Sequence, residues 1–297
     1  MENPFLWFRM RRTERIQVGD VRFAIDMPLD YHWSEKDERF LVHDDKPCRR
    51  EVRVVIRPTE HPSEPQHSPV SDEEGIRVWQ DGDAEVRSFR AFFLEDHALY
   101  AVSRWQGDRV DIQFKFPSLA WGHPNMVMWP LLHLESQLLM ADGLILHSCY
   151  TQYGGEAILF SAPSGTGKTT QGTLWRRLYG SSIVNGDLCL LQRGADGWQA
   201  RGYPMSGSAP ECENESYPIR AIVVVRQAPT NVVEELSVTK RWGLVYSECT
   251  VNTWDRERVA RASDLVADLV QHVPVVMLHC NLEDEAAHVL HHYLYQA

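Results

Sequence analysis

The sequence predicts an α/β protein in two parts, a β-rich N-terminal domain over residues 1–125 and an α/β domain over residues 126–297. Three observations lead there. The first part repeats a period-two alternation of apolar and polar side chains, the pattern of half-buried strands. The second part alternates short apolar runs with helix-compatible segments. At residues 157–179 an apolar run, a glycine-rich turn and a helical segment follow one another directly.

In the first part, residues 21–25, 52–56, 86–93, 98–102 and 110–116 read as strands. Residues 58–74, rich in Pro, Ser, His and acids, read as a flexible excursion, and the charges between Glu35 and Lys46 as a solvated face. No phosphate loop, metal cluster or catalytic pair is recognisable there. Residues 126–140 are apolar and helix-compatible, with Pro130 suited to a first turn and a stop at Ala141-Asp142-Gly143. Within this helix Glu135 is a site acid or, on the amphipathic pattern, a polar surface position.

Leu144-Ile145-Leu146-His147-Ser148-Cys149-Tyr150 is the next strand, and Ala157-Ile158-Leu159-Phe160 the one after it. Gly154-Gly155 between them is a two-residue hairpin turn. That turn sets His147 opposite Ala162, so the register carries an imidazole to the segment beyond the second strand. The ring is then either a site residue or a hydrogen-bonded structural histidine.

That segment reads Ala162-Pro163-Ser164-Gly165-Thr166-Gly167-Lys168-Thr169-Thr170. A strand before it and a helical segment over 171–179 give the context of a phosphate-binding P-loop. Backbone N–H groups around Ser164, Gly165, Thr166, Gly167 and Thr170 would face phosphate oxygens, helped by the positive end of the helix dipole. Lys168 would reach the β- and γ-phosphates and Thr169 would ligate Mg²⁺. Ala162 stands where the motif usually has glycine, but Gly165 and Gly167 keep the positions of close approach.

Residues 181–187 read as a short strand ending in Asn185-Gly186-Asp187, with an apolar run resuming at 188–191. Only one helix separates Lys168 from this strand, so Asp187 is an acid brought beside the phosphate loop, or else an Asp in an Asn-Gly turn. A hairpin across 194–197 and a Gly/Ser/Pro loop over 202–210, suited to shaping a pocket, come next. Residues 221–225 are a buried strand with Arg226 at its end, facing phosphate or solvent. A helix over 256–272, a strand over 275–280 and a helix over 283–295 complete the chain. His288, His291 and His292 lie on that last helix; the 288/292 spacing is that of a metal pair, but without a third ligand it reads as an exposed helix end.

Net charge is −11, from 30 basic and 41 acidic side chains, which argues against general nucleic-acid binding. No apolar run reaches the ~20 residues of a membrane helix, and residues 1–17 hold no signal-peptide core. Six scattered cysteines without a C-x-x-C pair suggest reduced thiols, with Cys149 and Cys189 as small core residues. The expected setting is cytoplasmic, without nucleic-acid or membrane partners and with an oligomer open.

The Leu146-His147-Ser148 strand, residues 161–170, Leu174-Trp175, Asn185-Gly186-Asp187, Tyr203-Pro204-Met205-Ser206-Gly207 and residues 274–278 together resemble the HPr kinase-like branch of the phosphoenolpyruvate carboxykinase-type P-loop proteins. The resemblance covers roughly residues 130–297 and is nearest in pattern to kinase-like proteins of peptide-maturation systems, including the lasso-peptide kinases. It implies an HPr kinase-like nucleotide domain preceded by a domain for acceptor recognition. It also implies phosphoryl transfer from ATP or another nucleoside triphosphate, with Mg²⁺, to a hydroxyl, often a serine of a peptide or protein. Lys168 would match the P-loop lysine, Thr169 the Mg²⁺ ligand, Asp187 the carboxylate of the family's Asp-Asp pair, catalytic as proton acceptor and a second Mg²⁺ contact, and His147 the histidine of the preceding strand. Gly186 replaces the first acid of the family's Asp-Asp pair, Met205 stands where relatives usually carry Trp, and the phosphorolysis signature of the bifunctional enzyme is not evident. A P-loop ATPase acting on a peptide or protein partner, a non-enzymatic nucleotide-binding module and a small-molecule hydroxyl kinase are the alternatives the residues leave open.

Overall fold

The computed structural model describes residues 11–28, 32–44, 48–73, 75–90, 98–115 and 124–296. Among these, the chain is mixed α/β, with two eight-stranded mixed sheets and seven helices. It divides into two compact units, Met1–Gln137 and Leu138–Ala297.

The first unit is built on strands β1 (Arg11–Val18), β2 (Val21–Pro28), β3 (Arg50–Thr59), β4 (Ser71–Glu73), β5 (Ile76–Asp81), β6 (Ala84–Arg90), β7 (Leu99–Gln106) and β8 (Arg109–Lys115), with the short helix α1 (Glu35–Glu38) after β2. Their order is β1-β2-β3-β8-β7-β6-β5-β4, and only the β2–β3 and β3–β8 pairings are parallel. Alternation decides the buried face: Phe23, Ile25, Val52, Val54, Ile56, Val110 and Ile112 are buried on it. The strand read over 86–93 runs to Arg90, and its last three residues lie outside the described residues, as do Phe116 and the N-terminal residues 1–10. The excursion over 58–74 is shorter than expected, because β3 continues through Thr59 and β4 takes Ser71–Glu73. The charged stretch after Glu35 is not wholly solvated either. Asp37 is buried, accepting hydrogen bonds from Ser34 Oγ at 2.8 Å and Trp129 Nε1 at 3.2 Å, and burial pushes its carboxyl above the ordinary value. Residues 45 and 46 of that stretch are outside the described residues.

The single helix expected over 126–140 is two helices, α2 (Pro124–Leu131) and α3 (Leu134–Met140). Pro130 therefore sits at the end of a helix and not in a first turn. The break is at His133, whose backbone takes a left-handed φ of 53°. The reason is tertiary. The His133 ring is held between Glu85 Oε1 at 2.8 Å and Ser103 Oγ at 2.9 Å, on β6 and β7, and all three side chains are buried. Glu135, half-buried, joins this group by pairing with Arg87 beside Glu85. Burial opposes the Arg87 charge, but Glu135 and Glu85 more than offset it and raise its pKa.

In the second unit, strands β9 (Gly143–Tyr153), β10 (Glu156–Ser161), β11 (Ser182–Asn185), β12 (Leu188–Gly194), β13 (Gly197–Arg201), β14 (Ser216–Gln227), β15 (Val232–Glu235) and β16 (Val275–Cys280) form one sheet. The path is β10-β9-β12-β13-β14-β16-β15, with β11 also on β9. β10 pairs in parallel with β14 as well, so β10, β9, β12, β13 and β14 close a ring of pairings. Helices α4 (Lys168–Tyr179) and α7 (Asp284–Tyr295) bury Leu174, Trp175 and Leu290 against Ile158, Phe160 and Val223. Helices α5 (Val238–Ser247) and α6 (Arg256–His272) bury Val245, Val266 and Leu269 against Leu159, Ile222 and Val224. Successive residues of β10 and β14 thus enter opposite cores, which is why their sequences are continuous apolar runs. All six cysteines are free, and Cys149 and Cys189 are fully buried in the core. Among the described residues no helix is long and apolar enough to cross a membrane.

Candidate functional site

The β9–β10 hairpin has the expected register. Tyr153 pairs with Glu156 and Ser148 with Ser161, and both glycines of the turn have positive φ, 60° and 83°. The ladder stops one pair short of His147 and Ala162, where Ser161 Oγ donates to the His147 carbonyl at 2.9 Å.

From Ser161 the chain enters the 162–167 loop. Gly165 and Gly167 adopt φ of 77° and 117°, values that a side chain disfavours. Gly167 is also the N-cap of α4, which has no side-chain cap. The loop is tied to the end of β14 by Gln227 Nε2, which donates to the Thr166 carbonyl at 3.3 Å. Lys168 folds back under the loop, 7% exposed, and its Nζ donates to the Ala162 carbonyl at 2.8 Å. Burial pushes its pKa down, against the opposing charges of Asp187 and Glu248. Helix α4 comes close to β9 because of Gly172: a Cβ there would stand 2.7 Å from Cys149 Sγ.

Asp187 sits in the irregular turn between β11 and β12, both of which run along β9. Asn185, fully buried, builds that turn. Its Oδ1 accepts from the N–H groups of Asp187 and Leu188, each at 2.9 Å, and its Nδ2 donates to the carbonyls of Tyr203 at 2.9 Å and Met205 at 3.1 Å. One carboxamide therefore joins the acid-bearing turn to the 202–210 loop. That loop presses on the turn from outside. A Cβ on Gly186 would lie 2.4 Å from Ala209 Cβ, and one on Gly207 would lie 2.8 Å from Asp187 Oδ2.

Ser164, Gly165, Gly167, Lys168, Thr169 and Thr170 from the loop and helix, Gly186 and Asp187 from the turn, and Ser206 and Glu211 from the outer loop line one cavity of about 490 Å³. That volume lies in the usual range of small-ligand sites. The Asp187 side chain is 37% exposed into it and meets His147 on its other side, Nε2 to Oδ1 at 3.3 Å. His147 Nδ1 faces Glu248 Oε2 at 3.1 Å. The structure thus gathers the predicted loop residues, Asp187 and His147 at one place. Thr166 contributes its carbonyl to the loop brace and is not among the cavity-lining residues.

Sequence reasoning misses Glu248 and Glu211. Glu211 pairs with Arg176 of α4 at 2.6 Å. Glu248 is adjacent to no motif, so no local pattern identifies it, whereas Glu211 directly follows the 202–210 loop, whose position beside the site is the available signal. Arg226 is exposed at the end of β14. His288 and His292 bond to Tyr179 and Gln296, and His291 stacks on Tyr179 with ring centroids 4.3 Å apart. Among the described residues no three His, Cys, Asp or Glu side chains are grouped so as to hold a metal ion. Among the oxygen donors lining the cavity, the Asp187 carboxylate and the Thr169 hydroxyl stand with Lys168 on the loop and its facing turn. Hard oxygen donors of that kind fit a Mg²⁺ ion that keeps phosphate and water as its remaining ligands. Compared with known proteins, the chain matches no family model and no curated protein.

Proposed function

We propose that this protein is a Mg²⁺-dependent kinase of the HPr kinase-like type, transferring the γ-phosphoryl group of ATP to a hydroxyl, a serine of a peptide or protein. One observation carries the reading: a buried lysine under a glycine loop and an acid paired with a histidine converge on one cavity from separate elements. The residue-level resemblance of 146–148, 161–170, 185–187 and 203–207 to that family supports the same reading.

In this mechanism the N–H groups of 164–170 and the start of α4 hold the triphosphate. Lys168, kept near the loop by the Ala162 carbonyl, neutralises charge on the transferring group. Thr169 and Asp187 would hold Mg²⁺, which supplies further charge neutralisation when bound. Asp187 accepts the proton of the incoming hydroxyl, or orients it, from the wall facing the loop. His147 fixes the Asp187 carboxylate. The buried Lys168 and the paired Asp187 favour the kinase over a simple nucleotide-binding module, which has no use for a base.

The test separates binding from chemistry. Asp187→Asn, assayed for ATP–Mg²⁺ binding by calorimetry and for labelled phosphoryl transfer into a pool of serine-containing peptides, should still bind the nucleotide through the loop, with a loss of affinity far smaller than its ~10²–10⁴-fold loss of turnover. Wild-type turnover in the variant would remove Asp187 from the chemistry. Binding without transfer or hydrolysis in the wild type would contradict the kinase reading.

A further inference from the structure

We propose that Glu248 is a positioning residue, holding the His147 imidazole against Asp187; the inference rests on the kinase reading above. Glu248 is the C-cap of α5, where the chain leaves the helix and runs beside β9. Two backbone hydrogen bonds fix it there. The His147 N–H donates to the Glu248 carbonyl and the Thr250 N–H to the Ile145 carbonyl, each at 2.9 Å, and together they make an antiparallel bridge between Leu146 and Cys249. The residue whose backbone is locked to His147 is therefore the one whose carboxylate meets the His147 ring.

The ring is engaged at both nitrogens, Nδ1 by Glu248 at 3.1 Å and Nε2 by Asp187 at 3.3 Å. Two contacts on opposite edges fix the rotation of an imidazole about its Cβ–Cγ bond; one contact leaves it free to swing. Exposure grades along the chain of groups, with side chains 15% exposed at Glu248, 28% at His147 and 37% at Asp187. The inner end is anchored by main chain and the outer end lines the cavity. The groups facing the ring are Asp187 from the β11–β12 turn and Glu248 from the end of α5. A partly buried carboxylate needs a partner, and this one has the imidazole. A misplaced reacting group costs rate more than affinity, since the phosphate cradle is elsewhere.

The experiment uses the full chain as wild type, Glu248→Ala and Glu248→Gln, each with and without Asp187→Asn. Main-chain bonds at 248–250 do not depend on the side chain, and thermal melts check that each variant folds. Ring ¹⁵N resonances of His147 are assigned by comparison with His147→Gln. With Glu248 present, Asp187→Asn should move the Nε2 resonance; with Glu248→Ala it should leave Nε2 almost unmoved. In parallel, Glu248→Ala should lower kcat for phosphoryl transfer ~10–100-fold while KM for ATP is unchanged. Glu248→Gln, whose Oε1 can still accept from Nδ1, should recover most of that loss. An Nε2 response to Asp187→Asn that is equal with and without Glu248, or an unchanged kcat in Glu248→Ala, overturns the proposal. Failure of the kinase reading has a separate signature: the wild type would not bind ATP–Mg²⁺, while the Nε2 response would persist.

Discussion

Asn185 and Gly186 define the acid-bearing turn at the scale of single residues. Asn185 satisfies all of its inward hydrogen-bonding capacity within the turn and the neighbouring loop, so replacing it would orphan buried backbone groups. Gly186 is fixed by space instead. The Cβ of Ala209 occupies the space that a side chain at position 186 would need. Gly186→Ala should destabilise the second unit by about 1–3 kcal/mol, the usual cost of overpacking. The pair Gly186→Ala with Ala209→Gly should recover most of the loss, because the clash is between those two Cβ atoms. Urea unfolding of the single and double variants measures this. No recovery in the double variant would mean that the turn fails for a reason other than the Ala209 contact.

At the scale of elements, the site's scaffold is legible wherever local chemistry dictates it. The Gly154-Gly155 turn fixes the β9–β10 register and hence the place of His147. The loop glycines and Lys168 mark the strand–loop–helix junction. Other features are set by distant contacts and leave no local trace. Glu248 meets His147 across 101 residues of sequence. Strand β1 has only Ile16 and Val18 as buried apolar residues among eight, too few to raise an alternation signal. The break between α2 and α3 exists because Glu85 and Ser103 capture the His133 ring, and a helical pattern read alone continues through it. That capture has a pH signature. Burial, with the Arg87 charge, lowers the His133 pKa from the ordinary 6.5 to about 4, so protons bind the unfolded unit in preference to the folded one. The stabilisation from neutral His133 is complete above pH 6.5 and is lost as pH falls toward 4, by about 3 kcal/mol over the window. Amide exchange in β6 and β7 at about pH 7, 5.5 and 4.5 should show the opening free energy of the wild type falling faster than that of His133→Gln. Parallel pH dependence in the two proteins would contradict the role given to His133.

For the molecule as a whole, the lining residues of the cavity and the Glu248–His147–Asp187 chain all belong to the second unit, Leu138–Ala297. The proposed chemistry is thus assigned to one unit, and the first is left for the proposed recognition of the acceptor. The central claim is that the cavity under the 162–167 loop holds a nucleoside triphosphate through Lys168. Calorimetric titration of wild type and Lys168→Ala with ATP and Mg²⁺, with circular dichroism to confirm folding, tests it most directly. The expected result is saturable binding by the wild type and a loss of at least about tenfold in affinity in a folded Lys168→Ala, the weight of one charge-assisted phosphate contact. Equal affinity in the folded variant, or no binding by the wild type, would contradict it.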